Sequence, residues 1–296
     1  MAFTLSNLLV GAFQALGQMT IGNKATGGST TTVIDSTQAN TARDNAWKNG
    51  AMFITRDAGG AGALPEGQFQ RISAFTNSSG TFTVETAFST AVAAGDIYGY
   101  TSPYYPLRQM QELANDALRA LGDVDLVDTT TLDTVTGDTE YAAAVTWKRS
   151  RPLRVDIQTA TGDAQDNQWV EWPSFEWVPA QAGSTGLIIF PDYQTASRDV
   201  RVWYRGAHPA LLDYDDVVHE SFDPELVVLQ LVVKALEWQN GRSGGTDEYL
   251  LQRLGDARQE LANRLVTTRP YRAKRKPKLL IVGRNQASDD QFTYPA

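Results

Sequence analysis

Two carboxylates in an aromatic stretch are the residues of this 296-residue chain that come nearest to a catalytic pair. Glu171 and Glu176 lie in segment 169–177, which reads WVEWPSFEW. A glycoside hydrolase needs only two carboxylates at the right separation, and aromatic rings would offer platforms for sugar rings. The alternative, which the residue types favour, is that the rings pack a β-sheet while both acids face water.

The other titratable residues are weaker candidates. An acidic cluster in segment 213–220 has the oxygen ligands that calcium prefers, but it lacks the spacing and central glycine of an EF-hand, which favours a solvated loop. The members of this cluster are Asp213, Asp215, Asp216 and Glu220. His208 follows a predicted strand, and no serine, cysteine or second histidine accompanies it, which favours a structural role.

Composition excludes several classes of site. The chain has no cysteine, which rules out disulfides, thiolate nucleophiles and Cys-ligated metal centres. It has only two histidines, and neither the phosphate-binding nor the dinucleotide-binding glycine motif occurs. We therefore expect a protein that is not an enzyme and holds no cofactor or metal. No apolar segment approaches the ~20 residues that a bilayer span needs, so we expect no membrane anchor.

Charged residues are distributed unevenly along the chain. The net charge is −8, but residues 1–263 carry 18 basic and 32 acidic residues, whereas residues 264–284 carry eight basic residues and no acid. An acidic body therefore ends in a basic arm. Such a run is commonly a solvated or nucleic-acid-binding tail, and the sharper interpretation is a docking peptide for an acidic or grooved partner.

Hydrophobic periodicity and turn residues divide the chain into four parts. Residues 1–19 are predicted to form an N-terminal helix, 20–101 an inserted β module, 102–266 a core with a helix, a β region and a helical hairpin, and 267–296 an extended basic C-terminal arm. The predicted fold class is α+β, with a helical hairpin or bundle as the core, two β-rich regions and the extended arm. The second β-rich region is expected to resemble a β-sandwich.

The elements within these parts follow from local signals. Helices are predicted at 5–16 and 107–121, and a third helix begins at Pro224 after the N-cap Asp223. This third helix is apolar nearly all round, so it must be buried, and a fourth helix capped by Thr246 pairs with it as a hairpin. The predicted strands are 30–34, 51–55, 68–75, 81–84, 97–100, 132–135, 153–158, 169–172, 186–190 and 200–205.

Several segments, in this order, carry a resemblance to a known family. They are TTVIDS at 31–36, AGDIY at 94–98, LANDALR at 113–119, VRVWYRGAHP at 200–209 and DPELVV at 223–228. With the short first helix and the basic arm, they resemble tailed-bacteriophage head-to-tail adaptor (connector) proteins. The similarity spans most of the chain, and none of its motifs is a catalytic fingerprint.

The resemblance implies a structural virion protein that forms a ring, usually of twelve copies, below the portal of a DNA-filled capsid. Its partners would be the portal protein, tail or tail-nozzle proteins, further copies of itself and double-stranded DNA that passes through without sequence-specific binding. It would assemble in the host cytoplasm and reside at the head-tail junction. An acidic channel wall suits this role, because it repels phosphate groups and lets the duplex slide.

The resemblance also assigns roles to residues. Portal docking by the arm would use Arg269, Arg272, Lys274, Arg275, Lys276, Lys278, Leu279, Leu280 and Ile281. Packing between subunits would use Leu226, Leu229, Val233, Leu236, Leu250, Leu254 and Leu261. Two alternatives remain: another phage tail or surface protein, such as a tail terminator or a carbohydrate-binding fibre module, and, less favoured, a glycoside hydrolase that uses Glu171 and Glu176.

Overall fold

The computed structural model describes residues 2–60, 62–144, 147, 151–158, 169–172, 174–179, 186–192 and 198–267. Four α-helices lie in these ranges: α1 Leu5–Ala15, α2 Leu107–Leu121, α3 Pro224–Arg242 and α4 Glu248–Thr267. The strands of the first half are β1 Met19–Lys24, β2 Gly27–Gly28, β3 Thr32–Ile34, β4 Ala51–Arg56, β5 Phe69–Thr76, β6 Thr81–Val84 and β7 Ile97–Thr101. Those of the second half are β8 Val124–Asp128, β9 Glu140–Ala142, β10 Arg154–Gln158, β11 Trp169–Glu171, β12 Glu176–Val178, β13 Leu187–Ile189 and β14 Val200–Gly206.

The prediction of a helical hairpin or bundle as the core is wrong. In its described ranges the chain is a mostly β-rich α+β fold, in which the four helices accompany three antiparallel sheets. Two of the three apolar clusters are built from strands and the loops between them. The prediction gave too much weight to the apolar third helix, which packs against α1, α2 and α4 beside one face of the first sheet.

The first sheet contains seven antiparallel strands in the order β1-β7-β4-β5-β6-β3-β2. The interior strand β4 is buried on both faces. Ala51 and Phe53 point into the cluster that holds the helices, whereas Met52 and Ile54 point into a second cluster on the opposite face of the sheet. Successive side chains of a strand alternate between faces, so one short strand contributes to both clusters.

The helices pack around α3 and onto one face of this sheet. Phe13 of α1 is fully buried and meets Phe53 of β4 edge to face, with ring centroids 5.9 Å apart. Leu231 of α3 and Met110 of α2 are fully buried in the same cluster. This burial explains why the third helix is apolar nearly all round, because it meets neighbours on several sides.

Capping residues fix where the helices begin. The Asp223 carboxylate accepts the Glu225 N–H at 2.9 Å at the start of α3, as its position before Pro224 predicts. At α4 the cap is Asp247, which accepts the Tyr249 and Leu250 N–H groups at 3.1 and 3.2 Å. The prediction that Thr246 caps this helix is therefore wrong by one residue.

The second β region consists of a four-stranded sheet, β11-β10-β14-β8, and a three-stranded sheet, β12-β13-β9. Both sheets contribute to a third apolar cluster, in which Val202 of β14 and Ile188 of β13 are fully buried. The predicted strand at 132–135 is absent. Asp133 there forms only an isolated bridge to Asp199, whereas the unpredicted strand β8 pairs with β14.

Candidate interaction surface

An open apolar groove of about 500 Å³ runs between α1, α3 and α4. Its walls include Gly11 and Ala15 of α1, Val228 and Val232 of α3, and Ala257 of α4. The small residues let the helices approach. A Cβ on Gly11 would lie only 3.1 Å from a methyl carbon of Val228, so the missing side chain sets the separation of α1 and α3.

The rim of the groove is predominantly acidic. Glu225, Asp256 and Glu260 line it together with one cation, Arg253. Glu225 forms an ion pair with Arg264 of α4. Asp256 and Glu260 form no ion pair with any residue that the structure describes, so their charges are available to an additional cation.

Arg253 is already engaged by its own neighbours. Its Nη2 donates to the Ala15 carbonyl at 3.3 Å, and its guanidinium carbon lies 5.8 Å from the centre of the Tyr249 ring. This cation therefore belongs to the contact between α1 and α4. The carboxylates dominate the charge that the rim offers to another molecule.

Helix α4 also exposes apolar side chains near both of its ends. Tyr249 and Leu251 are exposed in its first turns, and Leu265 and Val266 in its last turn, where Val266 is 80% accessible. Apolar side chains gathered on one helix are typical of surface that a partner covers. The described part of the chain ends at Thr267, directly after this last turn.

The residues predicted to pack between subunits lie mostly inside one chain. The five buried ones are Leu226, Val233, Leu236, Leu250 and Leu254. Leu261 is partly buried against the same cluster, and Leu229 lines the groove. Packing within the chain thus accounts for the apolarity from which contact between subunits was inferred, and only Leu229 and Leu261 retain surface for a neighbour.

The residues predicted to dock to the portal lie beyond Thr267, outside the described residues. They are Arg269, Arg272, Lys274, Arg275, Lys276, Lys278, Leu279, Leu280 and Ile281. Their role stays a prediction. The structure adds only the place from which the arm departs, which is the end of α4.

The aromatic stretch packs the second β region, as its residue types indicate. Trp172 is buried and stacks on Phe190 with ring centroids 4.3 Å apart, and Trp177 packs against the same cluster. The Arg201 guanidinium covers the Trp169 ring, with its carbon 3.9 Å from the ring centre. Trp172 therefore offers no open face to a sugar ring, and the cation occupies one face of Trp169.

The two carboxylates of that stretch lie on strands of different sheets. Glu171 ends β11 of the four-stranded sheet, and its Oε2 lies 3.9 Å from the Arg154 Nε. Glu176 begins β12 of the three-stranded sheet and is exposed. The geometry of these strands does not single the two residues out as a pair aimed at one substrate.

The acidic segment 213–220 contacts the beginning of helix α1. Asp216 accepts the backbone N–H groups of Asp213 and Leu212 at 2.8 and 2.6 Å, and these two donors hold its pKa below the usual range. The carbonyl oxygen of Asp216 accepts the Leu5 N–H at the beginning of α1. No group of three metal-ligating side chains occurs among the described residues.

His208 is buried and hydrogen-bonded, but the expectation that no second histidine accompanies it is wrong, because His219 lies beside it. The Nε2 of His208 accepts the His219 N–H at 2.9 Å, and the Nδ1 of His208 lies 2.6 Å from the Pro209 carbonyl. Because Nε2 accepts, the proton of the neutral ring must lie on Nδ1, which donates to Pro209. Burial lowers the pKa of His208 below its ordinary value, and the neighbouring His219 lowers it further.

This arrangement predicts a pH dependence of stability. A folded-state pKa below the unfolded value of about 6.5 means that acid favours the unfolded chain, so the free energy of unfolding falls as the pH drops below about 6.5. In urea titrations at pH 7.5 and 5.5, we expect a smaller loss in His208→Gln, which cannot titrate, than in the parent protein. The control His219→Gln should keep most of the loss, because burial, the larger cause of the lowered His208 pKa, remains. A loss in His208→Gln as large as in the parent protein would contradict the assignment.

The groove was not predicted from the sequence, where only a few small residues indicate it. Gly11, Ala15 and Ala257 are small residues within otherwise leucine-rich helices, and the first two are four positions apart on α1. Such spacing places small side chains on one helix face, where another helix can come close. The sequence does not say that a third helix leaves the resulting channel open.

Searches for related proteins leave the resemblance untested. No helix in the described part of the chain is long and apolar enough to span a membrane. No protein-family model matches the chain, and no curated protein or solved structure matches it either.

Proposed function

We propose that this chain is a structural virion protein, a head-to-tail adaptor that forms a ring below the portal, docks to the portal through its C-terminal arm and offers a DNA channel and a tail-attachment surface. The observation that best supports the proposal is the exposed apolar turn at the end of α4, directly before the basic arm. The last turn of α4 leaves Leu265 and Val266 exposed directly before a segment with seven basic residues between 269 and 284. A partner that covers this turn and binds the cations would satisfy both features.

The distribution of charge along the chain supports the proposed DNA channel. The acidic body would repel the phosphates of a passing duplex, and the basic arm is separate in sequence from that body. In the ring, the next copy would cover an apolar side chain that α4 exposes, such as Leu251. The ring would be of the usual twelve copies.

The arm's role can be tested by reversing its charge. We expect the triple variant Lys274→Glu, Arg275→Glu, Lys276→Glu to bind the portal protein about 100-fold more weakly than the parent chain, because each lost charge-assisted contact costs more than 1 kcal/mol. Surface plasmon resonance on immobilised portal assemblies would give the dissociation constants. Raising the salt concentration should weaken parent binding towards that of the variant.

A matched control separates the arm from total charge. Lys24, Lys48 and Arg108 are exposed bases in the body, and their replacement by Glu changes the net charge by the same amount. This control should bind portal like the parent chain. If both triple variants bind portal equally well, the docking role of the arm is wrong. Electron microscopy of parent chain with portal would show whether a ring of adaptor lies beneath it.

A further inference from the structure

The groove between α1, α3 and α4 has a complementary segment in the same chain. We propose that residues 274–282 of the C-terminal arm fold back and occupy this groove, with the apolar run 279–282 between the helices and the preceding cations beside the acidic rim. The segment reads KRKPKLLIV. The inference concerns the free chain and does not rest on the proposed function. Because this segment overlaps the residues proposed to dock to the portal, the groove and the portal would compete for it.

The groove and the apolar run of the arm match in length and in polarity. The α3 wall of the groove runs from Pro224 to Leu236, which is about 18 Å at 1.5 Å per helical residue. An extended strand of five or six residues has about that length at 3.3 Å per residue. The run Leu279, Leu280, Ile281, Val282 with one residue on either side fits this span, and alternate side chains would point into the apolar floor.

The cations of the arm are opposite in sign to the carboxylates of the groove rim, and their position in the sequence lets them meet. The arm leaves α4 after Thr267 and, on returning along the helix, reaches Glu260 before Asp256. The arm presents its cations first and its apolar run afterwards. The cations therefore arrive beside Asp256 and Glu260, the two carboxylates that have no ion pair within the described residues.

The chain is long enough to reach. Eleven residues lie between Thr267 and Leu279, and the chain from one to the other spans up to about 40 Å when extended. The return along α4 from Thr267 to Ala257 covers about 15 Å. Because the segment is tethered so near the groove, its effective concentration there is in the millimolar range, which favours the chain's own arm over the arm of a second copy.

The absence of cysteine allows a direct test. The double variant Ala257→Cys, Leu280→Cys places thiols on the groove wall and in the apolar run, and the control Ser78→Cys, Leu280→Cys uses an exposed turn of the first sheet. Under the same oxidation, we expect the first variant to form an intramolecular disulfide at least about tenfold faster than the control, measured by non-reducing electrophoresis and mass spectrometry. Adding Asp256→Asn and Glu260→Gln to the groove variant should slow its disulfide formation.

Two results would overturn the inference. Equal rates of disulfide formation in the groove variant and the control would show that the arm has no preference for the groove. A cross-linked species of twice the chain mass would assign the groove to a second copy.

A second measurement leaves Ala257 unchanged. Hydrogen–deuterium exchange of backbone amides 279–282 in the full chain should be slower than in the variant Asp256→Arg, Glu260→Arg. Identical exchange in both proteins would also reject the proposal.

Discussion

Replacing Asp156 by alanine should lower the free energy of unfolding by about 3–5 kcal/mol, because it leaves charged and polar partners without a counterpart inside the second β region. The Asp156 carboxylate is fully buried and accepts the Trp203 Nε1–H at 2.9 Å. It also pairs with Arg154 and lies 3.6 Å from the Arg201 Nη2. Urea denaturation followed by tryptophan fluorescence would measure the loss.

A second aspartate on the same sheet provides the control. Asp125 of β8 pairs with Arg205 of β14 at 3.1 Å, and both side chains are more than two-fifths exposed. An exposed pair contributes at most about 1 kcal/mol, so Asp125→Ala should change stability little. Comparable losses for Asp125→Ala and Asp156→Ala would mean that burial of the Asp156 carboxylate does not determine its importance.

Gly80→Ala should destabilise the first sheet by about 3–5 kcal/mol, since backbone conformation and space both oppose a side chain there. Gly80 has φ +63, and an added Cβ would lie 2.0 Å from the Asp35 carbonyl oxygen. Asp35 cannot easily move. Its buried carboxylate accepts the Tyr98 hydroxyl at 2.7 Å, and its N–H donates to the Gly80 carbonyl at 3.0 Å.

Gly17 isolates the contribution of the clash. It has nearly the same backbone angle, φ +66, but no atom lies within 4 Å of the position that a Cβ would take. Gly17→Ala should therefore cost only the left-handed conformation, about 1–2 kcal/mol. Thermal and urea unfolding would give the free energy of unfolding of both variants. Equal losses would show that the Asp35 carbonyl can move aside without a loss of stability.

The helices were predictable because their ends carry strong local signals. Asp223 with Pro224 marks the start of α3, and Gly122, at φ 109, follows the last residue of α2. Strand β1 was missed for the opposite reason. Its residues are mostly exposed and include Gly22 and Asn23, so neither alternation nor β-propensity distinguishes it from a loop. Its existence depends on pairing with β7, about 80 positions later.

The balance between helices and sheets was not predictable from local patterns. The apolar surface of Leu226–Trp238 shows that this helix is buried but not how much of the rest of the chain is sheet, so it suggested a bundle core that the fold does not have. The groove was equally inaccessible to sequence, because it depends on the relative placement of three helices. The sequence did predict the packing role of the aromatic stretch, in which Trp172 is buried.

The two-sided burial of β4 affects how force passes through the molecule. A module attached by flexible linkers can swing, because it shares no packed surface with its neighbour. Here one strand supplies Phe53 to the helices and Ile54 to the opposite side, so the sheet and α1 cannot tilt separately without opening a close-packed interior. A pull on the outer strands is thus transmitted through β4 to α1.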